Sequence, residues 1–71
     1  MFEGEYKNLM VRSRGDGWEV VDLGAGAITR FGACSEARGH AEAIARSHGG
    51  TIYVYDVAGR LESSSMFPPG V

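Results

Sequence analysis

The chain has one cysteine, Cys34, and only two prolines, both close to its end at Pro68 and Pro69. A lone cysteine can form neither an internal disulfide nor a cysteine-based zinc site, which points to a reducing, cytoplasmic setting. No run approaches the roughly 18 apolar residues of a membrane span. The start, with Glu3 and Glu5 and no apolar stretch after them, does not read as a signal peptide. There is no basic surplus either. Seven Lys and Arg against nine Asp and Glu give a formal charge of −2, which weighs against a nucleic-acid-binding module.

What remains is a chain of 71 residues with 44% hydrophobic and 23% charged positions, the balance of a globular domain. One domain over residues 1–71 is expected, with flexible ends at 1–5 and 63–71. A chain this short buries only about 60% of its unfolded surface, so association would add useful stability.

The organising stretch runs from Ala33 to Asp56. Ser35 is the expected N-cap of a helix, and Glu36 suits the positive end of its dipole. Ala37, Ala41, Ile44, Ala45 and His48 recur at helical spacing, with Arg38, Glu42 and Arg46 on the opposite side. Gly39 weakens the helix and Gly49 ends it, by way of a left-handed conformation. Thr51-Ile52-Tyr53-Val54-Tyr55 is then a strand with Ile52 and Val54 facing the helix and both tyrosines facing away.

Earlier in the chain, Tyr6 to Ser13 and Trp18 to Leu23 alternate as strands on either side of Arg14-Gly15-Asp16-Gly17. An Asp-Gly pair between two such runs is a hairpin signal. It explains the Arg-Gly-Asp tripeptide, a sequence also found in cell-adhesion ligands. Ala27 to Phe31 adds a short third strand. Gly24-Ala25-Gly26 opens like a dinucleotide fingerprint, but the third glycine and the following helix are missing. Asp56 to Arg60 reads as a tight turn using Gly59, and Leu61 as the start of a short edge strand.

The expected fold class is α+β: an antiparallel sheet of three to four strands with one helix on one face, in ββ(β)αβ order. Its expected core is Leu9, Val11, Trp18, Val20, Ala41, Ile44, Ala45, Ile52 and Val54, with Trp18 as anchor under the helix.

Trp18-Glu19-Val20 after a glycine turn, the strand near Phe31, Glu36-Ala37 early in an alanine-rich helix, Gly49-Gly50, Ile52-Tyr53-Val54-Tyr55 and Gly59-Arg60 form an ordered series. From Leu9 to Arg60 the chain thereby resembles the small bacterial proteins grouped as domain of unknown function 2188. The resemblance implies a sheet covered by one helix. It carries no activity and no catalytic residues, and Val57-Ala58 departs from the charged turn the family has after its last strand.

Catalytic and metal sites are not expected, nor is a cofactor. Cys34 sits at a helix start, but His40 and His48 are not spaced to pair with it. The two histidines are eight residues apart, too far to share one ion on a straight helix. Asp16, Asp22 and Asp56 all fall at turns.

The sheet face away from the helix is the expected interaction surface, formed by Met10, Val21, Leu23, Phe31, Tyr53 and Tyr55. It is unusually apolar, so the expected function is a non-enzymatic protein-interaction module, a homodimer or an adaptor for a protein partner. Coverage by the tail, through Met66 and Phe67, is the competing explanation. A second class is a nucleic-acid binder that stacks bases on Tyr53, Tyr55 and Phe31, with Lys7, Arg12, Arg14 and Arg30 on phosphate. A third is an inhibitor of a larger complex encoded by a mobile element, of the anti-CRISPR kind.

Overall fold

Alternation of Leu9, Val11 and their neighbours produces strand β1 (Lys7–Arg14), which becomes the axis of the fold. The computed structural model describes residues 6–68. After β1 come β2 (Gly17–Asp22), β3 (Ile28–Phe31), helix α1 (Cys34–His48), β4 (Gly50–Tyr55) and β5 (Leu61–Phe67). The five strands form one sheet in the order β3-β2-β1-β4-β5.

The chain is therefore α+β with one helix, as expected, but the sheet is larger and mixed rather than antiparallel. β1 and β4 run parallel, while β1–β2, β2–β3 and β4–β5 are antiparallel. The helix causes the difference. It carries the chain back across the sheet, so β4 enters in the same direction as β1 and pairs with it. β5 is the second departure. Ser63 to Phe67, expected in a flexible end, pairs with β4 from Val54 back to Gly50. The remaining ends, 1–5 and 69–71, lie outside the described residues.

The first hairpin turns on Gly15 and Asp16, and pairs Arg14 with Gly17. Gly15 has φ 63° and Asp16 does not take a positive φ, the pattern of a type II′ turn. The glycine whose backbone conformation makes the turn is thus the one before the aspartate.

α1 lies across β1, β2 and β4 through Ala37, Ala41 and Ala45, all fully buried. Their small side chains let the helix settle onto Leu9, Val11, Val20, Ile52 and Val54. Trp18 is only partly buried, packed against the outside of this core as Phe31, Ile44 and Phe67 are. It sits at the start of β2, next to the hairpin, whereas Leu9 and Val11 belong to the central strand. The N-cap is Ala33 with no side-chain hydrogen bond, not Ser35, because the helix starts one residue before that serine. At the other end, the Gly49 amide donates to the Ala45 carbonyl at 2.7 Å.

Candidate functional site: the open sheet face

Residues directly opposite one another on paired strands point to the same side of the sheet. The register therefore writes out the face away from α1 row by row. The middle row is Ile28–Val21–Met10–Tyr53–Ser64, one residue from each strand. Beside it, toward the first hairpin, run Arg30, Glu19 and Arg12. On the other flank lie Asn8, Thr51 and Met66. The Tyr6 hydroxyl and Thr51 Oγ1 are hydrogen-bonded at 2.9 Å.

No described element covers this face, yet its centre is not open to water. Val21 is 8% exposed and Glu19 only 2%. Ile28 at the edge remains 53% exposed. Glu19 is tolerated there because Arg12 answers it, with Nε and Nη2 both at 2.8 Å from Oε1. A buried carboxylate without such a partner would be strongly unfavourable.

Four of the six residues expected on this face are on it: Met10, Val21, Tyr53 and Tyr55. Phe31 is not. It pairs with Trp18, so it points to the helix side, where its ring lies 5.1 Å from that of His40. Leu23 falls one residue beyond β2, in the turn that Asp22 organises. Among the four cations expected to meet phosphate, Lys7 also leaves the group. It shares the side of Leu9, and its Nζ is 3.4 Å from Asp22. Arg12 and Arg30 flank Glu19, and Arg14 lies at the hairpin end of the same face.

Asp22 shows what the turn aspartates do. Its Oδ1 accepts from the amides of Gly24 and Ala25 at 3.1 Å. The Ala25 amide above all, aided by Lys7, holds its carboxyl below the ordinary aspartate value. Asp56 makes the same kind of turn contact, accepting from the amides of Ala58 and Arg60 at 2.9 Å.

A cleft of about 460 Å³ opens at the hairpin end of the face. It lies between Met10, Arg12 and Ser13 on one side and Tyr55 to Gly59 on the other. Ile28, Glu19 and this cleft were not anticipated. The signal for Glu19 was available, since a two-residue turn at Gly15-Asp16 dictates that Arg12 faces it. The cleft depends on β1 lying beside β4, which no local pattern encodes.

No family model matches the chain, and neither a curated protein nor a solved structure matches it. Among the described residues, no helix is long and apolar enough to cross a membrane. Nor, among them, do three His, Cys, Asp or Glu side chains gather where they could hold a metal ion.

Proposed function

We propose that this chain is a non-enzymatic protein-interaction module that self-associates by stacking its open sheet face on that of a second copy. The observation that carries this reading is the row Ile28–Val21–Met10–Tyr53, four largely apolar side chains across a face that no described element covers. Charged Arg30, Glu19 and Arg12 border the row on one side, and Asn8 and Thr51 on the other. An apolar centre with a polar rim is the usual anatomy of an interface.

A two-fold axis through the middle row sets that row against itself, as an isologous contact requires. Five strands about 4.8 Å apart, with about 3.3 Å per residue, give a face roughly 20 Å on a side. That is smaller than the roughly 800 Å² per partner of a standard interface, so the dimer is expected to be concentration-dependent. The family resemblance, the bacterial origin it implies and a cytoplasmic setting belong to the same proposal.

The nucleic-acid reading is less well supported, since Phe31 and Lys7 lie on the other side of the sheet. An inhibitor of a larger complex would use this same face.

Light scattering after size exclusion, over a concentration series, tests the proposal. Wild type is expected to move from monomer to dimer, and Ile28→Glu/Tyr53→Glu to stay a folded monomer. A wild-type protein that is monomeric throughout overturns self-association and leaves the face to a different protein. Retention on single-stranded nucleic acid that falls with salt would favour the second class.

A further inference from the structure

We propose that the cleft at the carboxyl ends of β1 and β4 binds a small aromatic carboxylate, with Arg12 as the group that receives the anion. The topology creates the cleft. β1 and β4 are parallel neighbours, and their outgoing connections turn opposite ways. β1 turns through Gly15-Asp16 to β2 on one side, while β4 turns through Asp56 to Arg60 to reach β5 on the other. A crevice is left outside the strand ends wherever parallel neighbours diverge like this, and open sheets hold ligands in such crevices. At about 460 Å³, this one is within the range of small-molecule sites.

Both walls are fixed before any ligand arrives. Glu19 holds Arg12 at 2.8 Å, so little side-chain freedom remains to be lost on binding. Across the cleft, Asp56 Oδ1 accepts from the amides of Ala58 and Arg60, and the Gly59 amide donates to the Asp56 carbonyl at 2.9 Å. The Asp56 carboxylate is thereby engaged in its own turn, with Arg60 at 3.6 Å beside it.

The free donors select an acceptor. Arg12 is the one cation among the residues that line the cleft, and Asp56, the one acid among them, has its Oδ1 taken by two amides of its own turn. Nε and Nη2 of Arg12 are directed at Glu19, and among the described residues no acceptor meets the rest of its five N–H donors. A carboxylate matches the planar fork of a guanidinium. The body of the ligand then lies along the Met10 thioether and the Tyr55 ring, with Val57 at the mouth. Thioether and aromatic surfaces favour an aromatic ring there.

The test is an amide chemical-shift titration of the full chain with phenylacetate, benzyl alcohol and inorganic phosphate. Phenylacetate is expected to shift the amides of Arg12, Ser13 and Tyr55 to Gly59 saturably, with a Kd of about 1 mM. Benzyl alcohol and phosphate, each lacking half of the chemistry, are expected to bind at least about tenfold more weakly. Arg12→Gln/Glu19→Gln, which removes both charges together, should weaken phenylacetate to the level of the alcohol. Ala58→Trp, in an exposed turn outside the core, should fill the cleft and abolish the shifts even if the double variant fails to fold. Titrating wild type at concentrations where light scattering shows a monomer keeps the result apart from self-association, which would cover Met10. Equal binding of phenylacetate and benzyl alcohol, shifts elsewhere on the protein, or no saturation would each overturn the proposal.

Discussion

Arg12 Nε lies 2.8 Å from Glu19 Oε1, and the two residues sit directly opposite one another on adjacent strands. Glu19 is almost fully buried, while the Arg12 side chain keeps about a third of its surface in water. The pair is therefore asymmetric. Removing the arginine strands a buried charge, whereas removing the carboxylate leaves a cation that can turn to solvent.

Arg12→Ala is accordingly expected to destabilise more than Glu19→Gln. A double-mutant cycle by urea unfolding should give a coupling of about 1 kcal/mol, at the lower end of the range for residues in contact because Arg12 is partly solvated. A coupling near zero would mean that the ion pair is decorative. Replacing both residues by valine should be nearly neutral.

The helix start offers a gain. Ala33 has the extended backbone of an N-cap, φ −135° and ψ 148°, but no side-chain oxygen to serve the first turn. Ala33→Ser would complete a capping box with Glu36 three residues on, worth about 1 kcal/mol. Gly39→Ala should add up to about 1 kcal/mol, since nothing lies within 4 Å of the added methyl. Thermal unfolding of the two single variants and their combination checks both values and their additivity.

The helix end offers a loss. Gly49 has φ 79° and ψ 145°, which is not the left-handed helical region but one essentially reserved for glycine. Asparagine, which tolerates an ordinary left-handed cap, should therefore be no better here than alanine. Gly49→Ala and Gly49→Asn are each expected to cost about 1–3 kcal/mol in urea unfolding. A well-tolerated asparagine would contradict the backbone geometry.

Asp22 gives a pH dependence with a definite sign. Its folded carboxyl titrates below the ordinary value of 3.8 because the Ala25 amide, and then Lys7, favour the charged form. Its contribution to stability is complete above the unfolded value and is lost as pH falls through the folded one. Wild type should lose stability on acidification below that ordinary value, and Asp22→Asn should flatten this part of the curve. Urea unfolding at stepped pH measures it.

Much of this fold was legible because β-alternation and turn chemistry are local. Leu9 with Val11, and Ile52 with Val54, announced their faces, and Gly59 announced its turn with φ 83°. Of strand β5 only the start at Leu61 was legible, because Ser63-Ser64-Ser65 has the composition of a tail. Its pairing with the β4 backbone has no side-chain pattern to announce it, and Phe67 packs its end against the core. Size misled in the case of Trp18. The largest residue is only partly covered on the outside of the core, while Leu9 is 1% exposed on the central strand. Phe31 was assigned to the wrong side because its direction depends on its pairing with Trp18, not on its own neighbours.

The parallel ladder between β1 and β4 also governs how the chain must fold. β1-β2-β3 is a local meander, and β4-β5 is a local hairpin. Only the ladder from Lys7–Gly50 to Val11–Val54, with the helix lying over it, joins the two. Its partners are separated by more than half the sequence, so the entropy of closing that loop is lost before the central contacts form. The seam of the molecule is thus its best-buried line. A break in the chain within residues 24–27 or 57–60 spares it, whereas a weakened β1 releases both halves at once.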